Sequence, residues 1–103
     1  MNKLEQEANN WMKERKMMSS ITATEYQIRA AETAIFPKEK ALEYLTLGLT
    51  GEAGEIANKV KKLIRDGADV EGYQERLSQI AAELGDVLWY CAMLANEVDT
   101  NLG

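Results

Sequence analysis

The chain has 103 residues, 46% of them hydrophobic and one a proline, the size and make-up of a single domain with a modest core. Its 17 acidic against 12 basic side chains give a formal charge of −5, which argues against a general nucleic-acid binder. Histidine is absent and Cys91 is the single cysteine, which excludes Ser-His and Cys-His nucleophile pairs, an intrachain disulfide and a thiolate-rich zinc site. No run approaches the roughly 20 apolar residues that cross a bilayer, and the start lacks the charged-then-apolar order of a leader. With a lone thiol suited to a reducing compartment, the chain reads as soluble and cytoplasmic, with no membrane partner.

Long segments rich in Ala, Leu, Glu and Lys favour helix by propensity and by period, so the expected fold is all-α, a bundle of about four helices. A first segment over about residues 2–18 carries a thin strip of Leu4, Ala8, Trp11 and Arg15, and Ser19-Ser20 breaks it. Residues 1–20 therefore read as a helical arm, and 21–103 as the domain. Thr22 or Thr24 is placed to cap a second helix bearing Tyr26, Ile28, Ala31 and Ile35, which Phe36-Pro37 ends because proline disfavours helix in the residue before it.

The third helix, about residues 38–65, repeats Leu42, Leu45, Leu49, Ile56, Val60 and Leu63 at three-and-four spacing, and Asp66-Gly67 stops it. A polar linker over 67–72 leads to the fourth, about residues 73–97, whose stripe is Leu77, Ile80, Leu84, Val87, Cys91 and Leu94, continued by Val98. Trp89 points away from that stripe, which suggests a second buried face supplied by another subunit and hence a homo-oligomer with a dimer as its minimal unit.

Two acidic steps lie inside these runs, Glu52-Ala-Gly-Glu55 and Glu83-Leu-Gly-Asp86, each with its carboxylates three residues apart on one side of a helix. Around the third helix Gly48, Glu52, Glu55, Lys59 and Lys62 share one edge of the stripe; around the fourth, Glu83, Asp86 and Tyr90 do. Antiparallel packing through the stripes would set the two edges alongside, as metal sites in helical bundles require. A single acidic pair is common on solvated helices, but two beside one core stripe, each with a glycine before its second acid, point to a shared cation. All-oxygen ligands favour magnesium, with manganese or calcium possible, and magnesium takes its remaining ligands from water and substrate phosphates.

Lys59, Lys61, Lys62 and Arg65 continue the acidic edge and could neutralise a polyphosphate; ordinary Glu55–Lys59 pairing one turn apart is the competing reading. Tyr90 could donate its hydroxyl to a phosphate, or stand as a half-buried aromatic. Trp11, Tyr26, Tyr44 and Phe36 are candidates to stack on a base, though aromatics on helices are more often core.

Several stretches resemble the MazG-like nucleotide pyrophosphohydrolases: Glu25-Tyr-Gln27, Thr33-Ala-Ile-Phe-Pro37, Ala41-Leu-Glu-Tyr-Leu-Thr-Leu-Gly-Leu-Thr-Gly-Glu-Ala-Gly-Glu-Ile-Ala-Asn-Lys-Val-Lys-Lys62 and Glu83-Leu-Gly-Asp-Val-Leu-Trp-Tyr90. The resemblance covers about residues 22–98. It implies an all-α enzyme, dimeric or a dimer of dimers, that uses magnesium to split a nucleoside or deoxynucleoside triphosphate into the monophosphate and pyrophosphate, clearing unwanted nucleotides. On the same footing Glu52, Glu55, Glu83 and Asp86 match metal ligands, Lys59, Lys62 and Tyr90 match phosphate contacts, and Gln27 and Phe36 fall near the base pocket. Where many relatives carry a further glutamate before the first acidic step, this chain has Thr50-Gly51.

With no histidine available, one of the carboxylates must serve as general base, and Glu55 is assigned that role. Two readings compete with hydrolysis: a non-catalytic helical adaptor whose acidic edges bind a basic partner, and a metal-binding regulatory bundle.

Overall fold

The structure, a computed structural model, describes residues 2, 3, 6, 21–67 and 71–103. Among them all regular structure is helical: α1 (Ala23–Ala31), a 3₁₀ turn (Lys38–Lys40), α2 (Ala41–Asp66) and α3 (Tyr73–Glu97). The all-α expectation holds with three helices; the arm over residues 2–18, with Trp11, falls outside the described residues apart from Asn2, Lys3 and Gln6.

Local chemistry accounts for the helix ends. Of the two threonines offered as a cap, Thr22 acts: its hydroxyl accepts the Glu25 N–H at 3.1 Å and satisfies an otherwise orphaned donor. α1 stops sooner than expected. After Ala31 the chain tightens into i→i+3 bonds, Glu32 N–H to Arg29 O at 3.1 Å and Thr33 N–H to Ala30 O at 3.0 Å, and the Thr33 hydroxyl donates to the same Ala30 carbonyl at 2.8 Å. Ile35, expected on the apolar stripe of that helix, lies beyond it and is 91% exposed. Gly67 ends α2 at φ +83°, a conformation that favours glycine, and its N–H closes onto Leu63 O at 2.8 Å.

The pairing of side chains sets the topology. Gly48 meets Tyr90, Lys59 meets Glu83 and Asp66 meets Arg76, so α2 and α3 run antiparallel along their length. Likewise Gln27 meets Asn96 and Thr33 meets Trp89, which lays α1 antiparallel to the C-terminal half of α3. The core sits where these elements meet: Ala30, Ala41, Leu45, Ala92 and Met93 are buried, with Phe36, Trp89 and Tyr90 packed against them.

Only part of each expected stripe is therefore covered. Leu45 is fully buried, but Leu42, Val60, Leu77, Leu84 and Val98 are exposed, because among the described residues a third element covers the α2–α3 pair at one end only. Trp89 does not face outward as read from the sequence. It is half-buried, donates its indole N–H to Thr33 Oγ1 at 2.8 Å and meets Tyr90 edge to face at 5.1 Å, so the turn after α1 covers part of that face.

At the other end the helix pair is tied by charge. Asp66, the last residue of α2, chelates Arg65 at 2.7 and 3.0 Å and takes Arg76 Nη1 of α3 at 2.6 Å. Those two guanidinium contacts, Arg65 first, hold its carboxyl well below the usual carboxylate range. A group with a depressed folded-state pKa stabilises the fold above its unfolded value, about 4, and that contribution is lost as pH falls further. Asp66→Asn should lower the thermal midpoint at neutral pH, with the gap to wild type closing as melts are taken below about pH 4.

Candidate active site

Antiparallel packing carries Glu52 of α2 against Glu83 and Asp86 of α3. Each offers a carboxylate oxygen, and all three oxygens lie within 4.8 Å of one another; Glu52 and Glu83 are half-buried and Asp86 is exposed. Like charges this close favour a proton. The Glu52 carboxyl is pushed up to about 7, first by a hydrogen bond with Glu83, then by burial and by the charges of Glu83, Asp86 and Glu55. Glu83 moves down, held as the anion by that hydrogen bond and by Lys59 against the opposing effect of burial. With both acids ionised, the buried Glu83 Oε2 has no hydrogen-bond partner, so a shared proton or a cation would relieve the pair.

A hard divalent cation meets the same need better than a proton. An orphaned buried carboxylate oxygen, two further carboxylates within reach of one ion and an all-oxygen donor set fit magnesium, with manganese as a substitute. Glu55, the fourth acid of the expected set, does not join the cluster: its carboxylate is exposed and pairs with Lys59 at 3.6 Å. Lys59 Nζ also lies 3.4 Å from Glu83 Oε1, so one ammonium bridges the outlying acid and the cluster. The Glu55–Lys59 pairing weighed against phosphate contact is thus present. Beyond it Lys62 lines a cavity of about 280 Å³ together with Glu55, Asn58, Lys59, Arg76 and Gln79.

Tyr90 closes the other side. Its ring lies on the backbone of Gly48, where a methyl group would overlap the ring carbons. Burial, and then Tyr44, Glu52 and Asp86, push its phenol up, which keeps it a neutral donor facing the acids. Tyr26, considered only as a base-stacking aromatic, arrives at the same edge from α1: burial and the Asp86 charge raise its phenol too. No local spacing signals that approach, since the Asp86 charge is felt across helices.

Glycine's role falls elsewhere than expected. Around Gly54 and Gly85, the glycines inside the acidic steps, an added methyl would meet nothing within 4 Å, so neither serves close helix approach within this chain; Gly48 does. Gln27 is also corrected. Its buried amide donates to Asn96 Oδ1 at 2.6 Å and Thr100 O at 2.8 Å and accepts the Leu102 N–H at 2.8 Å, so it anchors the C-terminal tail instead of facing a base. Phe36 is half-buried, stacked on Tyr44 with centroids 6.0 Å apart and with Lys38 Nζ 4.5 Å from its centroid.

A sequence profile of the MazG nucleotide pyrophosphohydrolase domain matches residues 40–103. The chain belongs to this family. The matched span of the MazG domain holds both acidic steps, Lys59, Lys62, Arg76 and Tyr90, and leaves out Gln27 and Phe36. The chain is also 54% identical over 80 residues to the Gene 37 protein of Mycobacterium phage L5, an alignment covering 72% of this chain and 69% of that one. No solved structure matches it at a significant level. No described helix of this MazG domain is long and apolar enough to cross a membrane.

The proton on Glu52 has a measurable sign. An acid whose pKa is raised on folding binds more protons folded than unfolded, so the metal-free protein should gain stability as pH falls from about 8 to about 6, and Glu52→Gln should flatten that slope in thermal melts. Because an ion must displace this proton, magnesium should raise the melting midpoint more at about pH 8 than at about pH 6. Gly48→Ala should cost about 1–3 kcal/mol in denaturant unfolding by forcing the Tyr90 ring off α2.

Proposed function

We propose that this MazG domain is a magnesium-dependent nucleoside triphosphate pyrophosphohydrolase, converting an NTP or dNTP to the monophosphate and pyrophosphate. The observation that carries the reading is the convergence of Glu52, Glu83 and Asp86, each with a carboxylate oxygen within 4.8 Å of the others. These three would hold the ion. When bound, magnesium supplies Lewis-acid polarisation of phosphate oxygens and neutralises their charge.

The chain's own groups supply the rest. Glu55, displaced from the cluster but near enough for its charge to be felt at Glu52, accepts the proton of the water that attacks the α-phosphorus. As the new P–O bond forms, the bond to the α–β bridging oxygen breaks, and that oxygen leaves with the pyrophosphate. Lys59 and Lys62 offset charge on the leaving group, and Tyr90 donates its hydroxyl to a phosphate oxygen. Lys59 gives up its pairing with Glu55 to do so, which frees that carboxylate at the moment it is needed as a base. The base stacks at Phe36, whose platform Tyr44 extends.

The exposed apolar side chains Ile35, Leu47 and Ile64, 91%, 73% and 80% exposed, support assembly as a homodimer or dimer of dimers. Clearing unwanted nucleotides from the cytoplasmic pool is the role that suits this chemistry.

Incubating the protein with mixed nucleotides should release pyrophosphate only when magnesium or manganese is added. Glu55→Gln and Asp86→Asn should each lose at least about a hundredfold in turnover with helical content retained. Wild-type rates in both variants would refute the assignment. Metal binding without turnover would favour a regulatory bundle, and neither would favour an adaptor.

A further inference from the structure

We infer that the cavity beyond Lys59 receives the pyrophosphate end of the substrate, and that Arg76 of α3 reads the terminal phosphate there and makes the site select triphosphates over diphosphates. The inference rests on the hydrolase reading and adds a residue that the two acidic steps do not include.

Position comes first. Lys59 forms part of the cavity wall and touches Glu83, so the cavity begins where the carboxylate cluster ends. Arg76 lies two turns before Glu83 along α3, roughly 10 Å at 1.5 Å per residue, which puts it on the wall far from the cluster. A polyphosphate held at its α-phosphate by the cluster would run along this wall, with its last phosphate closest to Arg76.

Charge and space agree. Among the described residues that line the cavity, Lys59, Lys62 and Arg76 outnumber the one carboxylate, Glu55, while Asn58 and Gln79 add neutral polar groups. Its 280 Å³ is roughly nine times the share of one water in the liquid, room for a diphosphate with part of its hydration. The guanidinium is also held in place. Asp66 takes Nη1 of Arg76 at 2.6 Å and is itself gripped by Arg65, while Nε and Nη2 of Arg76 have no partner among the described residues. A planar donor held at one corner by a carboxylate suits a phosphate better than a mobile lysine ammonium does.

Calorimetric titration of the wild-type protein with inorganic pyrophosphate in the presence of magnesium tests this without needing turnover. Arg76→Gln should bind about tenfold or more weakly, the loss of a charge-assisted hydrogen bond, and Arg76→Lys should recover only part of it. Lys40→Gln, an exposed lysine outside the cavity, should leave affinity unchanged. Asp66→Asn separates positioning from charge: it breaks the same ion pair but keeps the guanidinium, and should bind more weakly than wild type but more tightly than Arg76→Gln. In turnover, Arg76→Gln should lower the kcat/KM ratio of triphosphate to diphosphate by about tenfold.

Three results would overturn the inference: no pyrophosphate binding by wild type, unchanged affinity in folded Arg76→Gln, or an equal loss in Asp66→Asn. Failure of wild type to release pyrophosphate from any nucleotide would instead sink the hydrolase reading, with the titration still deciding what the cavity binds.

Discussion

Carboxylates from two antiparallel helices are brought within 4.8 Å of one another, close enough for their charges to conflict. Glu52 meets Glu83 and Asp86 because α2 and α3 run antiparallel, and that pairing sets an electrostatic conflict beside the core. The conflict raises the Glu52 carboxyl and brings Lys59 within 3.4 Å of Glu83. A divalent cation held by the three carboxylates would answer the same conflict. Other features of the site adjoin the same edge: burial first, and then nearby acids, raise the phenols of Tyr90 and Tyr26, and Lys59 links the cluster to the basic cavity.

The core that supports this edge is built largely from small residues. Ala30, Ala41, Ala92 and Ala95 let the helices approach closely, while Leu45 and Met93 fill the space between them. Small side chains bury little apolar area each, so close packing at one end of the α2–α3 pair leaves larger apolar groups such as Leu47 and Ile64 in contact with solvent. Gly48 shows the same trade at a single position: without a side chain it contributes no burial of its own, and the Tyr90 ring occupies the space beside Glu52. The opposite end of the hairpin relies on the Arg65–Asp66–Arg76 network, so the molecule is held by packing at one end and by charge at the other.

Elements governed by local rules were legible in the residues themselves. The limits of α3, the Gly67 stop and the Thr22 cap depend on neighbours a few positions away, and so did the placing of Glu52, Lys59 and Lys62 on one edge and Glu83, Asp86 and Tyr90 on another. The premature end of α1 was not legible, because Thr33 is drawn into a turn that also serves Trp89, a partner 56 residues away.

Periodicity fixes an angle around one helix axis, and this determined that acids, lysines and a tyrosine would form two matching edges in an all-α protein. It says nothing of the rotation and register of one helix against another. Those relations admitted three acids to the cluster and left Glu55 to Lys59, brought Tyr26 to the acidic edge, gave Arg76 to the cavity and spent Gln27 on the C-terminal tail. Each of these outcomes joins residues far apart in the chain, and their distances exist only once the helices have packed.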